Sequence, residues 1–168
     1  MLTTDATKLA VHTLVTSKLD HCNSLLAGIN NTLISKLQNV QRTAARLITG
    51  KRKYDPITQD LIKLHWLPVH LRIDFKILVL TYKCLHQQAP DYLSNMLTIH
   101  SDRRPLRSNS SATQLIEPFT SHVTFADRAF SVYAPCLWNS LPEDIRNAES
   151  IMVFKSLLKT HLFELAYK

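Results

Sequence analysis

The chain has 168 residues, 45% of them hydrophobic and 20% charged, with a mean hydropathy of −0.07. That is enough apolar surface for one ordinary core or two small ones, and it excludes a disordered tail, which could not offset its chain entropy. The net charge of +7 is confined to one half: residues 1–84 hold twelve Lys/Arg against five acids, whereas residues 85–168 hold eight of each.

Only two glycines occur, Gly28 and Gly50, and their scarcity favours helices over turn-rich sheets. Residues 5–27 read as a first helix that Gly28 can end. Residues 31–49 read more clearly, because Leu33, Leu37, Val40, Ala44 and Leu47/Ile48 form one helical stripe. Arg42 and Arg46, four residues apart, are expected to project from the other side, with Gly50 as the stop. Residues 56–64 suit a short helix starting at Pro56 with Asp55 as its cap. Residues 69–88 carry two adjacent apolar stripes, Leu71/Phe75/Leu78/Tyr82/Leu85 and Ile73/Ile77/Leu80, so this helix is expected to be buried on two sides. Pro90 ends it, and residues 91–98 add a short helix. The polar, arginine-bearing stretch from Ser101 to Thr113 reads as a linker. Val123 and Phe125 alternate weakly, as in a strand. Phe130, Tyr133, Leu137 and Leu141 have helical spacing interrupted by Pro135. Residues 151–166 close the chain as an amphipathic helix, with Ile151, Phe154, Leu158, Leu162 and Leu165 inward and Ser150 as cap.

No enzyme constellation has the right spacing. His65 with His70, and Cys84 with His86, lack ordinary zinc spacing, and packed or surface histidines account for them. No metal and no other cofactor is expected. Two glycines cannot build a Walker loop or a dinucleotide turn. Phe125-Ala126-Asp127 resembles the start of a polymerase motif, but Arg128 stands where a second carboxylate would be needed to hold paired cations. Cys22, Cys84 and Cys136 are odd in number without a CxxC pair, which points to a reducing, intracellular setting, cytoplasm or nucleus. No apolar run is long enough to span a membrane.

The basic cluster is the best physical handle. Lys36, Arg42, Arg46, Lys51, Arg52 and Lys53 fall within eighteen residues that contain no acid. Cations fixed along a helix and past its end suit a phosphate backbone, read without regard to sequence. Only Tyr54 is nearby, so the linear pattern does not suggest base stacking.

The blocks LVTSKLDHCNSLLAGI (14–29), KLQNVQRTAARLITGKRKYDPIT (36–58), LHWLPVHLRIDFKILVLTYKCLHQQAPDYL (64–93), DRAFSVYAPCLWNSLPEDIR (127–146) and FKSLLKTHLFELA (154–166) together resemble the region after the palm in non-LTR (LINE) retrotransposon polyproteins, in particular the jockey and chicken-repeat type. They follow the family's order along nearly the whole chain. The resemblance implies a parent RNA-directed DNA polymerase whose catalytic aspartates lie in an upstream palm. It implies that residues 1–50 correspond to a helical thumb over the template–primer duplex, and that Met1 marks a truncated insertion or a start inside an old element.

The expected architecture is therefore mainly α. Residues 1–98 form a thumb-like and central helical region, 99–113 a basic linker, and 114–168 a less regular C-terminal extension ending in the amphipathic helix. The expected function is that of a retrotransposon reverse transcriptase fragment without catalysis of its own. Its expected partners are RNA or an RNA–DNA hybrid duplex and the palm of a full-length polymerase, with no membrane. The alternatives are an inert helical protein-interaction module, a non-functional remnant, or a small intact enzyme.

Overall fold

The computed structural model describes residues 3–100, 113–119 and 126–168, and it is mainly helical. Most of the expected 99–113 linker, and the Val123/Phe125 alternation, lie outside the described residues. The chain forms two compact units, Met1–Ile73 with Phe163–Lys168, and Asp74–Leu162. These divisions fall elsewhere than at residues 98 and 113, and the second segment of the first unit comes from the far end of the chain.

In the first unit, α1 (Thr4–Val11) is capped by Thr3, whose hydroxyl accepts from the Ala6 N–H at 3.3 Å. It runs through a π-helical turn, His12–Thr16, into α2 (Ser17–Asp20). The first helix thus ends earlier than expected: Cys22 turns the chain with a left-handed φ of 52°, and a 3₁₀ turn, Asn23–Leu26, follows. α3 (Asn31–Thr49) starts at Asn30, whose side chain accepts from the Thr32 N–H, and stops at Gly50 with φ 67°. That conformation is costly for a residue bearing a Cβ.

α3 buries Gln41, Ala44, Ala45 and Ile48. Leu33, Val40 and Leu47 of the expected inward stripe are 49%, 46% and 64% exposed. At 100° per residue the buried arc is turned by roughly 60° from the one apolar spacing predicts. Gln41 is the reason, because its amide nitrogen donates to the Leu67 carbonyl at 2.8 Å, which makes a polar side chain an inward one. Gln38 donates to Gln41 Oε1, and its own oxygen accepts from the Val69 N–H at 2.9 Å, satisfying the first amide of α5 (Val69–Leu85). Val11, Ala44 and Ile48 pack with Val15, Leu64 and Trp66, while Ala45, Ile57 and Leu61 pack with Leu64, Trp66 and Tyr167.

α4 is Thr58–Lys63, and its N-cap is Ile57 without a side-chain bond. Asp55 therefore does not cap it, and instead accepts from the Arg52 N–H at 2.8 Å. The Trp66-Leu67-Pro68 turn is held by its carbonyls. Trp66 O accepts from the Tyr167 hydroxyl, and Leu67 O accepts from Gln41 and from Arg72 Nε.

The second unit has an aromatic core. Tyr82 of α5 stacks on Phe154 of α9 (Ile151–Tyr167) with centroids 4.5 Å apart, and Trp138 of α7 (Phe130–Asn139) meets Phe154 at 5.7 Å. All three are at most 1% exposed. The Tyr82 hydroxyl donates to Ala148 O at 2.9 Å, and Trp138 Nε1 donates to Thr113 O at 2.9 Å, so each buried polar tip is satisfied. α5 is buried on two sides here as expected, with Ile77, Leu78, Val79, Thr81, Tyr82 and Cys84 inside, while Lys76 is exposed. α6 (Asp91–Ser94) is shorter than the expected 91–98. α7 runs through Pro135, which is buried near its middle rather than ending it. Asn139 holds residue 115 as a strand neighbour would: Oδ1 accepts from Leu115 N at 3.0 Å and Nδ2 donates to Leu115 O at 2.8 Å. Leu115 also makes an isolated antiparallel bridge to Ile99. α8 (Glu143–Arg146) leads to Ser150, which caps α9 through the Val153 N–H. Within α9, Phe154, Leu158 and Leu162 are buried, but Leu165 is 64% exposed.

Candidate functional site

The first unit carries eleven Lys/Arg and five Asp/Glu, a net +6, and the second carries nine and eight, a net +1. The six cations of the basic segment all lie in the first unit, on α3 and the loop after it. The fold divides them into two groups.

Arg46 and Lys51 are tied into the protein. Arg46 is half-buried, and its guanidinium donates to Asp55 O at 3.2 Å. Lys51 Nζ pairs with Asp60 at 2.5 Å and donates to Pro56 O at 3.0 Å. The Asp60 side chain is only 11% exposed, so this lysine satisfies a nearly buried carboxylate. The expectation that Arg42 and Arg46 project together is thereby corrected. The 36–53 segment contains no acid, but Asp55 and Asp60 come back to it from just beyond.

Lys36, Arg42, Arg52 and Lys53 remain exposed, and none makes an ion pair among the described residues. Arg42 reaches only Asn39 Oδ1, at 3.5 Å. The two tied cations in turn fix the loop that carries Arg52 and Lys53. Residues 52–55 form a tight turn in which the Asp55 N–H donates to Arg52 O at 3.2 Å and the Asp55 carboxylate accepts from the Arg52 N–H. Lys53 and Tyr54 occupy its two corners. Tyr54 is 89% exposed, and Lys53 Nζ lies 5.5 Å from its ring centroid.

Beside this basic surface is a shallow groove of about 330 Å³, lined mainly by Val15, Lys36, Val40, Ala44 and Leu47. Sequence reasoning misses it because apolar spacing puts Val40 and Leu47 on the inward stripe of α3. The signal was present as Gln41, whose amide occupies the arc that a leucine would otherwise take.

Several titratable groups outside the basic segment have packing roles. His65 stacks on Phe163 at 5.9 Å, and His86 stacks on Tyr82 at 3.9 Å while its Nδ1 sits 2.8 Å from Tyr82 O. Burial pushes the Tyr82 and Cys84 pKa values up. Tyr133 is raised strongly, first by burial and then by Asp74, whose carboxylate accepts its hydroxyl at 2.9 Å. Among the described residues no three His, Cys, Asp or Glu side chains gather in a metal-binding group, and no helix is long and apolar enough to cross a membrane. No family model, no curated protein and no solved structure matches the chain.

Proposed function

We propose that this chain is the thumb-and-extension region of a LINE-type reverse transcriptase, and that it grips the backbone of an RNA–DNA duplex without reading its sequence. Chemistry is left to the palm. The observation that carries the reading is the set of exposed cations, Lys36, Arg42, Arg52 and Lys53, displayed by one helix and a clamped turn in a unit of net charge +6. Fixed positive charge without neutralising carboxylates releases counterions from a duplex, which gives affinity that falls steeply with salt. The five sequence blocks that resemble the post-palm region of these polyproteins supply the family.

Titration of an RNA–DNA hybrid with the full chain at several salt concentrations tests the reading. Four phosphate contacts would give a slope of log affinity against log salt near −3.6, from about 0.9 per contact. A flat salt response, or no binding, would sink it.

A second reading, a protein-interaction module, is favoured by one observation. The groove at Val15, Val40 and Leu47 leaves apolar side chains of α3 uncovered. A palm domain supplied separately is the partner it proposes, and loss of palm binding in a Val40→Asp variant that still binds duplex would support it.

A further inference from the structure

We propose that Tyr54 is a stacking platform for an unpaired nucleobase, so that the basic surface prefers a duplex end carrying a single-stranded overhang to a blunt duplex. This deepens the duplex-gripping reading and rests on it.

The geometry of the turn carries the inference. A tyrosine in a protein of this size ordinarily buries much of its ring, since the ring is mostly apolar. Tyr54 leaves 89% of its surface in water. It is held there by a tight turn with internal hydrogen bonds, so the exposure is not a frayed end. Three further bonds anchor the turn from behind: Arg46 to Asp55 O, and Lys51 to Pro56 O and Asp60. The two cations withdrawn from solvent thus hold the backbone of the turn that carries Tyr54, Arg52 and Lys53. A turn fixed in this way presents the ring at a set place on the surface, so less chain freedom is lost when a base meets it.

The chemistry of the neighbours matches the same ligand. Lys53 lies over the ring at 5.5 Å, which leaves the opposite face for a planar partner. Arg52 and Lys53 immediately precede Tyr54 in the chain and offer charge to the phosphates of a stacked nucleotide, while the Asp55 carboxylate that follows is engaged with the Arg52 N–H. A paired base inside a duplex hides both faces against its neighbours, whereas an unpaired base in a single-stranded overhang is free to leave the stack and take this position. Stacking is tolerant of base identity, in keeping with a surface that reads no sequence.

The test measures the affinity of the full chain for one RNA–DNA hybrid, blunt or with a short single-stranded overhang, by fluorescence anisotropy at low salt. Unsubstituted protein should bind the overhang form roughly tenfold more tightly, the scale of one base–aromatic stack. Tyr54→Ala should erase that preference, whereas Tyr54→Phe should keep it. A 2-aminopurine in the overhang should be quenched by unsubstituted protein and by Tyr54→Phe, and not by Tyr54→Ala. Equal affinity for both forms, or a preference that survives Tyr54→Ala, overturns the stacking inference while duplex gripping stands. Absence of binding to either form overturns both.

Discussion

The two compact units solve the same packing problem in different ways. In the 74–162 unit, Tyr82, Trp138 and Phe154 are stacked at the centre, and large side chains close the core. In the other unit the buried face of the long helix α3 presents Ala44, Ala45, Ile48 and Gln41, while Trp66 and Tyr167 are only half-buried. Small side chains inside, and leucines left outside, mean that α3 is placed less by apolar area than by amide and carbonyl hydrogen bonds. The unit with net charge +1 is thus the one centred on stacked aromatics, and the unit with net charge +6 is the one that sets displayed cations beside uncovered apolar side chains of α3.

The comparison breaks most visibly at its two extremes. Phe154→Ala should lower stability by about 3–5 kcal/mol, whereas Leu47→Ala should stay within about 0.5 kcal/mol. Urea unfolding of both variants measures this, and equal losses would mean that the first unit's core is as closed as the second's. Removing the polar anchor of α3 should cost less than removing the aromatic one. Gln41→Ala leaves Leu67 O without one donor and Gln38 without its partner, for a loss of about 1–3 kcal/mol. The same change should speed hydrogen exchange at the Val69 amide, which Gln38 holds; unchanged protection there would show that Gln38 does not depend on Gln41.

A finer contrast lies within the basic segment. Arg42→Ala combined with Arg52→Ala should reduce the salt slope of duplex binding by about 2, and weaken all sequences alike. Arg46→Ala with Lys51→Ala should change the slope by less than half as much and should instead destabilise the loop, since both cations already have partners in the protein. Equal slopes for the two pairs would remove the distinction between displayed and anchoring cations.

The smallest effect concerns alkaline pH and the second unit. Tyr82 and Tyr133 have raised pKa values, so the folded protein keeps these phenols neutral where the unfolded chain ionises. Their contribution to stability is whole below the ordinary tyrosine pKa of about 10 and declines as pH rises above it. Thermal unfolding followed from neutral to strongly alkaline pH should show that decline, and Tyr133→Phe should make it shallower.

The helical class, the existence of most helices and the two-sided burial of α5 were legible in the sequence, because periodicity, Gly50 and Ser150 are local signals and local sterics and hydrogen bonds enforce them. The concentration of cations between Lys36 and Lys53 was equally plain. The tertiary structure alone turned α3 by the bond from Gln41 to Leu67, a carbonyl far along the chain, and so chose which leucines face water. It alone set Asp55 and Asp60 against Arg46 and Lys51, and so left Arg42, Arg52 and Lys53 displayed beside Tyr54. The reason is the same in each case. A polar side chain faces inward or outward according to whether a partner waits for it there, and that partner is supplied by the fold rather than by hydropathy or spacing.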